Sequence, residues 1–165
     1  MKNKKVYLTD FEKKVLKNDF YSTFLWNYKK VEYILNNSSK NQKFILFIYI
    51  IENMNRGGFF NYIFEKALLF FLPNLVIKYD LSIGPFQIKP SFLKFYAPYV
   101  NISKFFDLDY CILILDTFLA RTNYLESDQQ LSLYHSGEIN NNYKSTYVYI
   151  YICISGLKII FLYKK

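Results

Sequence analysis

The sequence predicts one mainly α-helical domain. Apolar side chains recur at steps of three and four residues over long stretches, 52% of the residues are hydrophobic, and glycine and proline are scarce, at five and four copies. The spacing is that of amphipathic helices, and the apolar content is enough for a sizeable core. Because 165 residues fit one domain, we expect residues 1–165 to fold as a single unit.

The first half of the chain predicts helices separated by short breaks. Helical spacing covers residues 10–35 and resumes in a strongly apolar stretch that ends at Glu52. Two glycines after Arg56 predict a turn. Residues 59–72 then predict a helix that Pro73 stops, and we expect its phenylalanines to lie in the core.

The least helical stretch follows. Residues 76–90 predict a short extended segment that leads into a structured loop or hairpin, because Asp80, Gly84 and two prolines interrupt the apolar spacing. Helical spacing returns from Ser103 to Arg121.

Another helix is expected to begin with a capping box formed by Ser127 and Gln130 and to end at Gly137. From about residue 142 to the C-terminus the sequence predicts a final helix that is apolar on most sides.

The net charge of +8 favours an anionic partner, whether nucleic acid, an acidic membrane surface or an acidic polymer, but does not identify one. No helix-turn-helix, zinc or RNA-recognition signature accompanies this charge, so we expect no nucleic-acid partner. Cys111 and Cys153 have apolar neighbours and no metal-ligand spacing, which predicts reduced core residues and leaves a disulfide open. We therefore expect no metal and no organic cofactor.

Two stretches bear on localisation. No apolar stretch precedes Asp10, so a classical secretory signal is not expected, and the protein would be cytoplasmic as synthesised. Any action outside the cytoplasm would then require another export route or release. Residues 147–163 are apolar but interrupted by Lys158 and short for a bilayer, so we expect a buried helix and no transmembrane segment.

Three features carry a family resemblance. The loop SIGPFQIKP at residues 82–90 resembles the S-x-G-x-x-Q-x-x-P signature of lytic transglycosylases and goose-type lysozymes, and LSLYHSG at residues 131–137 resembles their A-x-A-Y-N-x-G element. Glu52 matches their catalytic glutamate at the end of a helix. The resemblance covers about residues 44–160 and implies a lysozyme-like fold, with residues 1–40 as an N-terminal helical extension.

The resemblance implies cleavage of the glycan strands of peptidoglycan, with Glu52 as general acid/base. Such an acid must keep its proton near neutral pH, and an apolar pocket achieves this by raising the pKa, so we expect Glu52 to be buried. A lysozyme-type hydrolase adds a second carboxylate, for which Asp80 is the best candidate, whereas the transglycosylases use groups of the sugar itself. The sequence leaves these two mechanisms open.

The resemblance also implies substrate contacts. Gly84 would let the backbone approach the glycan, and Ser82 and Gln87 would hydrogen-bond to the sugar. Phe86 would line the groove, and Tyr134 would orient the catalytic glutamate. The implied partner is the peptidoglycan strand, and we expect a monomer.

Two departures from the family pattern keep an alternative open. Asn53 stands where the family has serine, and His135 where it has asparagine. A non-catalytic module that binds glycan or serves a structural role is the alternative function. His135 is expected at the surface, and Glu65 is expected to be solvated.

Overall fold

A computed structural model describes residues 9–37, 41–56 and 59–139. The helices of these ranges, in chain order, are α1 (Asp10–Trp26), α2 (Tyr28–Asn37), α3 (Gln42–Asn55), α4 (Phe59–Phe71), α5 (Pro73–Lys78), α6 (Pro90–Tyr96), α7 (Leu108–Arg121) and α8 (Ser127–Ser136). The same ranges contain no strand, and their extended pairing is limited to one antiparallel bridge between Ile83 and Ile88. The prediction of a mainly α-helical fold is confirmed.

The backbone divides into two compact units. One unit is Phe20–Arg121, and the other combines Met1–Asp19 with Thr122–Lys165. Helix α1 begins in the second unit and ends in the first. Glu52 and the loop at residues 82–90 belong to the first unit, whereas Tyr134 belongs to the second.

Helix α3 forms the buried centre of the Phe20–Arg121 unit. Every side chain from Phe44 to Glu52 is buried, as is typical of a helix that is apolar on all sides. Helices α2 and α7 pack against α3 and against each other. The Tyr49 hydroxyl donates a hydrogen bond to Asn27 Oδ1 at 2.9 Å, which ties α3 to the start of α2. The packing therefore fixes the C-terminal end of α3, where Glu52 lies.

The prediction of a short extended segment at the start of residues 76–90 is wrong for residues 76–78, which belong to α5. Pro73 ends one helix and begins the next, because α5 starts with this proline at its first position. Proline fits there since the first helical N–H has no intrahelical partner. The predicted hairpin is reduced to the bridge between Ile83 and Ile88.

Four phenylalanines of α4 do not lie in the core as expected. Phe60, Phe64, Phe70 and Phe71 are 84%, 65%, 79% and 72% exposed. The three- and four-residue spacing defines an apolar face of α4, but it does not determine whether that face packs against the protein.

The helix expected from Ser103 is interrupted. A 3₁₀ turn, Ile102–Lys104, comes first, and α7 begins only at Leu108. Helix α6 was not predicted, although Pro90 occupies its first helical position just as Pro73 does in α5.

The capping box of α8 lies one residue earlier than predicted. Glu126 is the N-cap, and its reciprocal partner is Gln129. Gln130 is instead buried and donates to the Thr122 carbonyl oxygen at 2.9 Å. Gly137 ends the helix in a left-handed conformation with φ +78°, as expected.

None of the helices described here is long and apolar enough to cross a bilayer. Two predictions, the apolar stretch at residues 147–163 and the wider C-terminal helix from about residue 142, fall outside the described residues.

Cys111 is a buried free thiol of α7, and Cys153 lies outside the described residues. The Cys111 thiol donates to the Phe105 carbonyl oxygen with an Sγ–O distance of 3.4 Å. Burial raises the pKa of this thiol to about 12.

Since the thiolate is the reactive form, we expect Cys111 of a Cys153→Ser variant to react with a disulfide reagent at pH 8 roughly a hundredfold more slowly when folded than in urea. Equal rates in the two states would contradict this assignment.

Candidate active site

Glu52 lies in the last turn of α3 and is 8% exposed. The residues that precede it, Ile48, Ile50 and Ile51, are buried as well. The expectation that this glutamate occupies a buried position at a helix end is confirmed.

Asn53 connects this end of α3 to the loop at residues 82–90. Its Nδ2 donates to the Tyr49 carbonyl oxygen at 2.6 Å and to the Pro85 carbonyl oxygen at 2.8 Å. The helix turn that contains Glu52 therefore lies next to the loop at residues 82–90, which we call the Gly/Gln loop. Asn53, a departure from the family pattern, makes the contact that joins them.

The loop is a compact turn closed by main-chain hydrogen bonds. Ile83 and Ile88 exchange N–H to oxygen bonds of 3.2 and 3.1 Å, and Gln87 N donates to the Gly84 carbonyl oxygen at 2.9 Å. Gly84 and Gln87 both have left-handed backbones, with φ +85° and +50°. A non-glycine residue at such an angle is uncommon, so the surrounding contacts must hold Gln87 in place.

Phe86 does not line a groove as the resemblance implied. Its side chain is 0% exposed, and its ring packs edge-on against Tyr49 with 5.4 Å between centroids. Burial in the core prevents contact with a glycan. Phe86 instead anchors the loop on α3.

Glu65 of α4 holds the other side of the loop. Its Oε2 accepts from Gly84 N at 2.9 Å and from Arg56 Nη2 at 2.5 Å. Its Oε1 accepts from Gln87 Nε2 at 3.1 Å and from Arg56 Nε at 3.2 Å. The expectation that Glu65 is solvated is wrong, because four protein donors occupy its two oxygens and its side chain is only 14% exposed.

This network gives Gly84 and Gln87 structural roles. The Gln87 amide donates to the Gly84 carbonyl oxygen at 2.9 Å as well as to Glu65. A Cβ at Gly84 would lie 2.1 Å from the Phe105 carbonyl oxygen. Close packing within the protein therefore accounts for this glycine without a ligand.

Both carboxylate oxygens of Asp80 accept hydrogen bonds from the start of α6. Its Oδ1 accepts from Ser91 N and its Oδ2 from Ser91 Oγ, each at 2.7 Å. Asp80 thus supplies an acceptor to an N–H of the first turn of α6, a usual task for aspartate at a helix start. The structure shows this capping contact, and a catalytic role for Asp80 stays a prediction.

The substrate contact of Ser82 and the orienting contact of Tyr134 stay predictions. Ser82 is half-buried at the start of the loop. Tyr134 is half-buried on α8, in the other unit from Glu52, and His135 is exposed there as expected.

Cations surround the ring of Tyr62, next to the Glu65 network. The Arg56 guanidinium lies 5.0 Å from the ring centroid, and the Lys66 and Lys30 ammonium groups lie 4.7 and 5.4 Å from it. Glu65 pairs with Arg56. The two exposed lysines, Lys30 and Lys66, therefore give this part of the surface a positive charge.

The described ranges contain no group of three or more histidine, cysteine or acidic side chains placed to hold a metal ion. No protein-family model, no curated protein and no solved structure matches the chain. The lysozyme-like arrangement of the helices therefore stays a prediction.

Proposed function

We propose that this protein cleaves the glycan strands of peptidoglycan, with Glu52 as general acid/base. The observation that carries the proposal is the 2.8 Å hydrogen bond from Asn53 Nδ2 to the Pro85 carbonyl oxygen. It holds the Gly/Gln loop against the helix turn that contains Glu52. A glutamate at a helix end beside such a loop is what the resemblance to lytic transglycosylases and goose-type lysozymes implies.

Burial of Glu52 supports its role as the acid. A buried carboxylic acid keeps its proton more readily than an exposed one, because its charged form is poorly solvated. In the proposed reaction Glu52 donates this proton to the glycosidic oxygen while the bond to the sugar carbon breaks. The resulting carboxylate then removes a proton from the group that attacks that carbon.

The two hydrogen bonds that Asp80 accepts from Ser91 favour the transglycosylase route. A two-carboxylate hydrolase needs a second acidic group facing the scissile bond. Because both Asp80 oxygens accept from Ser91, the attacking group is better supplied by a hydroxyl of the same sugar. The proposed product is an anhydro sugar at the new end of the strand.

The test is release of soluble fragments from purified peptidoglycan, with the products identified by mass spectrometry. We expect Glu52→Gln to lower the rate by about a hundredfold to ten-thousandfold, the usual contribution of a positioned general acid. The matched control is Glu32→Gln on α2, since Glu32 is exposed and outside the candidate site. This control should cleave at the wild-type rate.

Undiminished cleavage by Glu52→Gln would overturn the assignment. A loss of cleavage supports the assignment when the urea unfolding curve of the variant matches that of the wild type. Fragments with anhydro ends would select the transglycosylase mechanism. Fragments with hydrolysed ends would select attack by water.

One observation favours a second candidate, a structural module without catalysis. Gly84 N and the Gln87 amide, two donors of the loop, are both bound by Glu65 rather than open to a sugar. If the folded wild type neither releases fragments from purified peptidoglycan nor sediments with it, this alternative is supported and the first proposal is excluded.

A further inference from the structure

Helix α4 presents an exposed aromatic face. We define this face by the side chains that share one side of the helix: Phe60, Ile63, Phe64, Phe70 and Phe71. At about 100° per residue they fall within an arc of about 120°. All five are exposed. A soluble protein rarely leaves so large an apolar surface uncovered, so a surface of this kind indicates an interaction site.

The apolar surface continues beyond α4. Leu72, Leu75 and Ile77 are also exposed along and just before α5. On the other side, an open groove of about 770 Å³ separates α4 from the 3₁₀ turn and is lined mainly by apolar side chains, including Phe70 and Phe106. The aromatic face is therefore part of a wider apolar surface within the Phe20–Arg121 unit.

The charges around this surface are positive. Lys66 lies at the edge of the aromatic face and lines the groove, and Lys78 is exposed at the end of α5. Glu65 is the only acidic residue between Phe59 and Lys78, and it points away from the aromatic face into its ion pair with Arg56. No carboxylate of α4 or α5 therefore opposes an anionic surface.

We propose that the aromatic face of α4 binds the surface of an anionic lipid bilayer. A helix that lies in the bilayer interface inserts an apolar face between the acyl chains and keeps cations at the level of the headgroups. Phe60, Phe64 and Phe70 supply the inserted side chains, and Lys66 and Lys78 supply the cations. This inference is independent of the proposed glycan cleavage.

Charge argues against a second copy of the chain as the occupant. Each copy carries a net charge of +8, and pairing through this face would bring Lys66 and Lys78 of both copies together. Like charges at an interface repel each other. An anionic bilayer turns the same lysines into attractive contacts.

The first test uses a tryptophan placed on the aromatic face. Trp26 is the only tryptophan of the chain, so a Trp26→Phe background is free of this fluorophore. In that background we expect the Phe64→Trp variant to show blue-shifted emission with vesicles of equal parts phosphatidylglycerol and phosphatidylcholine, and quenching by brominated acyl chains. Tyr124→Trp in the same background is the matched control, because Tyr124 is exposed but lies outside α4, and its emission should not change.

The second test measures partitioning onto the same vesicles by sedimentation. Phe64→Ser and Phe70→Ser should each lower the partition coefficient roughly tenfold, because each removes an inserted ring. Lys66→Gln and Lys78→Gln should each lower it about fivefold on anionic vesicles and leave binding to pure phosphatidylcholine unchanged. Tyr124→Ser should bind as the wild type does.

Two outcomes would overturn the proposal. One is the absence of both a blue shift and quenching in the Phe64→Trp variant while circular dichroism shows a native helix content. The other is a lipid-free dimer that Phe64→Ser and Phe70→Ser dissociate while the wild type ignores vesicles, which would assign the face to a second copy instead.

Discussion

Glu65→Gln should lower the free energy of unfolding by about 3–5 kcal/mol, the usual cost of removing one partner from a buried ion pair. The substitution keeps the shape of the side chain but leaves the Arg56 guanidinium, whose side chain is 6% exposed, without its carboxylate. It also replaces one acceptor oxygen with an amide donor, so a donor of the network loses its acceptor. Urea unfolding followed by circular dichroism measures the change.

Two controls separate the ion pair from general effects of the substitution. Asp10→Asn breaks the exposed Lys13–Asp10 pair and should leave stability unchanged within error. A double variant, Arg56→Met with Glu65→Leu, removes both charges and should be more stable than Glu65→Gln. If Glu65→Gln and Asp10→Asn behave alike, the ion pair does not stabilise the fold.

Hydrogen exchange provides a local measurement of the same contact. Gly84 N–H is bound to Glu65 Oε2 at 2.9 Å, so its exchange should accelerate in Glu65→Gln. The Ile88 N–H, bonded to the Ile83 carbonyl oxygen across the bridge, is the internal reference. If the Glu65→Gln substitution increases the exchange rate more at Gly84 than at Ile88, Glu65 holds the turn directly.

The sequence was sufficient to predict the helix that carries the candidate acid. The stretch from Phe44 to Ile51 is apolar without interruption, and a helix of that kind can only be stable when it is buried. Glu52 follows it directly, so its place at the end of a core helix could be predicted. The Gly84–Gln87 loop could be located because glycine and proline interrupt helical spacing.

The orientation of α4 could not be predicted, because periodicity alone does not show which side of a helix packs against the protein. The abundance of phenylalanine favoured burial of the apolar side and solvation of Glu65. The structure has the opposite arrangement, since Glu65 and Tyr62 face the protein and make the contacts with Arg56. One signal was present in the sequence: Arg56 and Glu65 have opposite charges and are nine residues apart.

The roles of the individual loop residues could not be predicted from the sequence either. A family signature identifies residue types at a spacing, but hydrogen-bond partners depend on segments distant in the chain. Gly84 is nineteen residues from its acceptor in Glu65, and Asn53 is thirty-two residues from its acceptor in Pro85. Phe86 looked like a ligand contact and proved to be a core side chain, because α3 passes beneath the loop.

Gly84→Ala should destabilise the protein by about 3 kcal/mol or more, since it adds backbone strain and a steric clash at one position. The backbone at Gly84 has φ +85°, where an alanine is strained. The new Cβ would lie 2.1 Å from the Phe105 carbonyl oxygen, which belongs to the main chain and cannot move aside by rotating a side chain. That same oxygen accepts a hydrogen bond from the Cys111 thiol, so a shift of Phe105 would disturb the contact with α7 as well.

Gly137→Ala provides the matched control for this clash. Gly137 has a similar backbone angle, φ +78°, but apart from its chain neighbours no atom of the described residues lies within 4 Å of the position that its Cβ would occupy. Its substitution should therefore cost only the strain of a left-handed alanine, about 1–2 kcal/mol. The difference between the two variants in urea unfolding isolates the contact with Phe105. Equal losses would mean that the loop at residues 82–90 moves away from Phe105 at no cost in stability. Such a loop could not be held in a fixed position beside the helix turn that contains Glu52.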